Sequence, residues 1–410
     1  MKRIISLALA TSLCPLTAFA QEAEPGGVYF TFDLGQTFLG STDRDLETTV
    51  EEEGFESITT LGFGAVTETR SQRLSFDLDT ALNISDGEFA DESIVGRLGY
   101  TRTSADALFD FSLTSRREDI AFLRDATDFI DDGGEIVLPD DFEDLTGTGI
   151  RTETTLTTSI TWGETRPVGY SLSTSLQALR YEDASAALVD SDFAALSFGL
   201  RLNVNEVITS NIALSYSQTK DVGSPITHTT TLSGELSFAR PLGDLTTGIS
   251  VSRDEEDEIF WAASISRDYA LPNGSLSGAL GVVEDEFGDP RLTGRIAFSY
   301  PLPSAQIDLS ADHSLAPGDD RATTTFSATY LQELSPVSSM QVGFDFGQAS
   351  DPDGGDVFAT GSLSASYGYS ITEVWQMNVG ASADFREDDG VRTNSTSIFL
   401  TLERPFSWRP

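Results

Sequence analysis

Read at every second residue, much of this chain resolves into stretches of about ten residues in which apolar and polar positions alternate. "VYFTFDLGQTF" places Val28, Phe30, Phe32, Leu34 and Phe38 on one side and Thr31, Asp33, Gly35 and Thr37 on the other. "LSFDLD" sets Leu74, Phe76 and Leu78 against Asp77 and Asp79. "ALFDFSL" sets Phe109, Phe111 and Leu113 against Asp110 and Ser112. "LSFGLRLNV", "LTGRIAFSY" and "MQVGFDF" repeat the pattern with Arg201, Arg295 and Asp345 on their polar sides. The last stretch, "SIFLTLERPFSW", has Ile398, Leu400, Leu402, Phe406 and Trp408 in one file, broken by Arg404, and Thr401, Glu403 and Ser407 in the other. Helical spacing at i, i+3 and i+4 does not fit these windows, so each is a strand with one greasy face and one wet face.

The pattern recurs along the whole length, giving about 18–20 strands without a helical interlude. Its connections alternate in character. One set is short: Arg70 to Gln72, Gly163 to Arg166, Asn203 to Val207, "LPNG", "PLPS" and Ser370 to Glu373. The interleaved set is longer and acidic: "STDRDLETTVEEEGFE", "SDGEFADE", the stretch 116–150, "DEEDE", "EDEFGD", "DPDGGD" and "REDDG". Long loops at one end and short turns at the other, joining strands that alternate apolar-out and polar-in, describe a transmembrane barrel. In lipid every backbone N–H and C=O must be paired within the protein, so such an array has to close on itself. The fold expected is all-β: one antiparallel up-and-down transmembrane barrel. An even strand number puts both termini at the short-turn end, the periplasmic side, with the acidic loops outside the cell.

The amino terminus supports export. "MKRIISLALATSLCPLTAFAQ" has Lys2 and Arg3, a short apolar run, and Ala18-Phe19-Ala20 before Gln21. That reads as a secretory signal peptide over 1–20, cleaved between Ala20 and Gln21, leaving 21–410 as the barrel. Cleavage would remove Cys14, the one cysteine, and with it any disulfide, thiolate metal site or cysteine nucleophile. Beyond this segment no apolar run reaches the length of a transmembrane helix.

Charge narrows the function classes. The formal net charge is -40, from 65 acidic and 25 basic side chains. That balance repels nucleic-acid phosphates, so no nucleic-acid partner is expected, while divalent cations are attracted. The acidic stretches, "DPDGGD" among them, lack EF-hand spacing; solvated loops and cation-binding loops that bridge to lipopolysaccharide both remain open. Two histidines, His228 and His313, lie in no catalytic motif, and no enzyme activity and no cofactor are expected.

A barrel of this size is too wide to fill with its own strand side chains, so its polar file should face water. The candidate pore-lining residues are Asp77, Arg97, Asp110, Arg201, Glu235, Arg295, Asp308, Asp345 and Glu403. Arg97, Arg201 and Arg295 admit two readings: a basic ladder for a solute, or structural partners of nearby carboxylates. Trp162, Trp261, Trp375 and Trp408 fall near segment ends, where lipid headgroups favour aromatics.

These features resemble the porin type of Gram-negative outer-membrane β-barrel. The resemblance is architectural, covers nearly the whole chain after the leader, and assigns no particular porin family. It implies a carboxy-terminal strand read by the barrel-assembly machinery, here Ile398, Leu400, Leu402, Phe406 and Trp408, with Pro405, Arg409 and Pro410 as departures. It also implies a third external loop folded into the lumen. Here the third long connection, 116–150, is the longest; Arg116, Arg117 and Arg124 facing Asp131, Asp132, Asp140 and Asp141 across a constriction is one reading, and a solvated loop covering the barrel mouth is the other. The function expected is passive diffusion of small hydrophilic solutes with a mild cation preference, in the cell outer membrane. Alternatives are a surface or structural barrel whose acidic loops bind divalent cations, polysaccharide or partners, and a barrel serving exopolysaccharide export. A homo-oligomer is left open, since no seam between copies is legible.

Overall fold

The computed structural model describes residues 27–42, 54–85, 88–120, 149–185, 188–317, 321–350, 357–388 and 391–409. The leader, with Ala18, Ala20 and Gln21, lies outside the described residues. The strands are β1 (Gly27–Thr42), β2 (Gly54–Thr69), β3 (Gln72–Ser85), β4 (Glu88–Thr103), β5 (Ala107–Asp119), β6 (Ile150–Trp162) and β7 (Val168–Glu182). Then come β8 (Ser191–Asn203), β9 (Ile208–Asp221), β10 (Thr227–Phe238), β11 (Leu245–Arg253), β12 (Ile259–Leu271), β13 (Gly274–Glu284) and β14 (Pro290–Leu302). The last six are β15 (Ala305–Leu315), β16 (Ala322–Ser335), β17 (Ser338–Ser350), β18 (Val357–Ser370), β19 (Gln376–Asp388) and β20 (Val391–Trp408). Each strand pairs antiparallel with the next, and β20 pairs with β1, so one twenty-stranded sheet closes into a barrel with no free edge.

Closure is made by the segment that ends the sequence. Its register runs from Phe30 opposite Trp408 to Thr42 opposite Thr396. Trp408 stacks on Phe30 at 5.4 Å and Phe406 lies 5.9 Å from Phe32. The aromatic row continues away from the seam, with Phe63 stacked on Phe30 and Phe76 tilted against Phe63. Arg404, which breaks the apolar file in the sequence, lays its guanidinium over Phe406 at 4.4 Å and Trp375 at 5.4 Å. Its charge is thereby held among aromatics at the short-turn end.

One face of the sheet carries the large apolar side chains, and they are exposed. Leu280 and Ile398 are each 71% exposed, and Leu214, Leu232, Ile249 and Leu363 are exposed beside them. A soluble protein does not leave a closed belt of this kind to water, whereas lipid accepts it. Both histidines sit on this face, His228 beside the Tyr216 ring and His313 bonded to Thr324.

At one end the turns are tight: residues 70–71, 272–273, 303–304 and 336–337 each join two strands. Gly274 opens β13 at φ +146, and a Cβ there would stand 2.3 Å from the Ser299 carbonyl oxygen. Only glycine meets both demands of this hairpin. The opposite end differs from expectation. "SDGEFADE" was expected to be a loop, but β3 runs to Ser85 and β4 begins at Glu88. In "REDDG", Arg386 to Asp388 belong to β19 and only 389–390 connect. Most of the length contrast therefore comes from 43–53, 120–149 and 183–190, and several acidic connections are as short as the turns opposite.

The reason is that the strands continue past the apolar belt. Towards the acidic end the outward face becomes polar: Gln36 bonds Ser57 and Thr59 at 2.8 Å each, Thr42 bonds Thr396, and Arg180 pairs with Asp192. Acidic residues here ride on paired strands because the ladder supplies backbone partners that lipid no longer demands.

Candidate pore lining

Residues directly opposite in an antiparallel ladder share a face, so the inward file can be followed around the barrel from pair to pair. Asp77 opposes Arg97, and Arg97 opposes Thr114. Asp110 opposes Ser159, Arg201 opposes Asn211, and Asn211 opposes Glu235. Arg295 opposes Asp312, Asp308 opposes Ser299, Asp345 opposes Ser362, and Glu403 opposes Gly35. All nine candidates thus lie on the face away from the apolar belt.

They do not gather at one place. Arg97 pairs at 2.9 Å with Asp79, not with its cross-strand partner Asp77. Arg201 turns to the short-turn end and donates to the backbone carbonyls of Gly163 and Glu164 at 2.8 and 2.9 Å. It tethers the β6–β7 turn. Asn211 donates to Glu235 at 3.1 Å. Asp345 accepts from Ser327 at 2.7 Å.

Arg116 and Arg117 were expected in the third external connection. They are instead ladder residues of β5, opposite Glu153 and Thr152. Arg124, Asp131, Asp132, Asp140 and Asp141 lie outside the described residues. Arg116 joins a polar and charged cluster on the inner wall of β5 to β7. It pairs with Glu118 at 3.3 Å, while Arg151, 5% exposed, pairs with Glu153 at 2.7 Å. Gln177 donates to Glu153 at 2.9 Å. A second inward group went unlisted in the sequence reading: Asp384 accepts from Ser362 at 2.6 Å and Ser382 at 2.8 Å. Asp33 and Asp79 lean over Gly62 from its two sides. Their parity was readable, since each falls on the polar file of an alternating segment.

The inner face is not polar throughout. Towards the acidic end it carries Leu39, Ile58, Val95, Phe260, Val283, Phe358 and Phe399, all less than a tenth exposed. Leu39 and Phe399 are direct partners across the seam, and Arg386 caps the Phe358 ring at 4.4 Å. The expectation of a uniformly water-suited file does not hold there. Where the outer face turns polar the inner face turns apolar, the arrangement that a barrel adopts once its exterior meets water.

Below this collar, the inner wall of β3 to β9 is hollowed into a trough of about 700 Å3. Its rows are small and mostly hydroxylated: Ser159, Ser173, Ser197 and Ser215 stand opposite one another in succession, as do Thr157, Ser175, Ala195 and Ser217. Small side chains leave the space, and Asp110 and Arg73 are the charged groups at its margin. Among the described residues no three His, Cys, Asp or Glu side chains converge as a metal site.

In the connection 285–289 at the acidic end, the Asp285 side chain is fully buried. Burial alone would raise its pKa. The Arg291 guanidinium at 2.7 Å and the amides of Asp289 and Phe287 outweigh that and hold the carboxyl below its ordinary value.

No protein-family model matches the chain, and no curated protein matches it. Solved structures do. The FrpB iron transporter from Neisseria meningitidis, F5-1 variant, superposes with a TM-score of 0.52 at 8% identity, over 93% of this chain and 82% of that one. The siderophore receptor PirA from Acinetobacter baumannii gives 0.52 at 8%, over 92% and 80%. The outer membrane protein OpdK from Pseudomonas aeruginosa gives 0.41 at 11%, over 93% and 99%. At these identities the likeness is one of fold, carried by the two superpositions at 0.52: a single closed antiparallel barrel of the outer-membrane kind.

Proposed function

We propose that the protein is an outer-membrane channel through which small hydrophilic solutes diffuse passively, with a mild preference for cations. The observation that carries this reading is the separation of faces around a closed twenty-stranded barrel, exposed apolar side chains outside and charged or hydroxyl side chains inside. Sixteen to eighteen strands already leave an aqueous channel. On the inner face carboxylates such as Asp33, Asp77, Asp79, Asp308, Asp345 and Asp384 outnumber guanidiniums, and several of those guanidiniums are engaged with carboxylates. An excess of fixed negative charge in a low-dielectric tube concentrates cations. Such transport uses no cofactor, and both histidines lie on the outer face. In this reading both termini are periplasmic, the leader directs export, and outer-membrane lipid, lipopolysaccharide and the barrel-assembly machinery are the partners.

The test is single-channel conductance of the refolded full barrel in a planar bilayer under a salt gradient. Stable current steps with a reversal potential on the cation side are expected; inserted barrels that stay silent contradict a channel. A second reading, a surface barrel closed at its acidic end, is favoured by the buried collar. Silent insertion together with divalent-cation or polysaccharide binding by intact cells would select it.

A further inference from the structure

We propose that the hydroxyl trough on the inner wall of β3 to β9 is a binding track for neutral polyhydroxylated solutes, a sugar or polyol. The proposal deepens the channel reading and rests on it for its biological role. Three observations carry it. The trough holds about 700 Å3, within the range of sites that accommodate a ligand of two or three rings. Its central rows, Ser159–Ser173–Ser197–Ser215 and Thr157–Ser175–Ala195–Ser217, cross four adjacent strands in register. Strand spacing of about 4.8 Å therefore sets one hydroxyl per strand in the first row, a repeat close to the size of one pyranose ring, while Ala195 interrupts the second. Finally, these serines, unlike Ser112 and Thr157, which bond each other at 2.6 Å, engage no protein partner among the described residues, so their hydroxyls point at the lumen unspent.

The chemistry selects a neutral ligand. A serine hydroxyl both donates and accepts and rotates to suit, so a row of them can exchange the water around a polyol for matched hydrogen bonds. It carries no charge of its own to offset the desolvation of a charged solute. Ions are served by the other sector, where Asp308, Asp345, Asp384 and Asp33 stand on β15, β17, β19 and β1, while the charges above the trough pair with one another, Arg97 with Asp79, Arg116 with Glu118 and Arg151 with Glu153. At the margin Asp110 supplies one charged acceptor for a sugar hydroxyl. The lumen is thus divided into a neutral track and an acidic track.

The experiment is calorimetric titration of maltotriose into the detergent-solubilised full barrel, alongside the conductance measurement. Saturable binding is expected, weakened about tenfold or more in the triple variant Ser173→Ala, Ser197→Ala, Ser215→Ala, which still inserts and conducts. Alanine preserves the outer face and the pore width, and heat-modifiable migration of the variant reports that the barrel has folded. A conducting wild type that binds no maltotriose, or a folded variant that binds it as the wild type does, overturns the track while leaving the channel standing. Binding by a barrel that never conducts overturns the channel and leaves the track.

Discussion

Leu280 and Ser277 stand three positions apart on β13 and face opposite ways, Leu280 outward and Ser277 inward opposite Asp268. An arginine at Leu280 must enter hydrocarbon, which costs about 2–4 kcal/mol near mid-membrane. An arginine at Ser277 enters the lumen beside a carboxylate and should change stability by less than about 0.5 kcal/mol. Reversible denaturant unfolding in lipid vesicles reads both, and equal costs would mean that the faces are misassigned. Asp285 makes a different residue-scale prediction. Its folded-state pKa lies below the ordinary 3.8, so its contribution is full above 3.8 and is lost as pH falls through the folded value. Thermal unfolding followed from about pH 5 downward should show this loss, and Asp285→Asn should remove that part of the pH dependence. An unchanged profile in the variant would show that Arg291 is not holding the carboxylate. At this scale facing was legible in the sequence and partnership was not. Parity marks Arg97 and Arg201 as inward, yet nothing in it says that Arg97 takes Asp79, or that Arg201 leaves the lumen to tie the 163–167 turn.

Among the elements, the last strand answers for the closure. Its aromatics stack on those of β1, and an aromatic pair of this geometry contributes about 0.5–1.5 kcal/mol beyond the area it covers. A double-mutant cycle with Phe30→Ala and Trp408→Ala should return a coupling of about that size in vesicle unfolding. A coupling of zero would mean that the terminal aromatic serves assembly or anchoring and leaves the seam energetically untouched. Strands were readable because alternation against lipid is strict, which is why windows such as "LSFDLD" and "MQVGFDF" lie wholly within β3 and β17. Their ends were not. Alternation of polarity fades where strands leave the membrane, and acidic composition then looks like loop, as it did for "SDGEFADE" and for Arg116 and Arg117. Backbone pairing continues there because the barrel wall, once begun, is extended by its own ladder.

For the molecule as a whole, the two faces trade character along the axis. Across the belt the exterior is apolar and the interior wet; at the acidic end Gln36, Ser57 and Thr59 face out while Leu39, Ile58 and Phe399 face in. The collar escaped the sequence reading because apolar residues of the polar file, such as Leu39 beside Thr37, look like lapses in an otherwise clean pattern. The central claim is that the file containing Ser173, not that containing Leu172, borders the conducting path. It is tested by placing Ser173→Cys or Leu172→Cys in a Cys14→Ser background and adding a positively charged thiol reagent to single channels. The account predicts a stepwise fall in current and a reversal potential moved away from the cation side for Ser173→Cys, with Leu172→Cys unaffected. A response confined to Leu172→Cys, or none from a conducting Ser173→Cys channel, would contradict it.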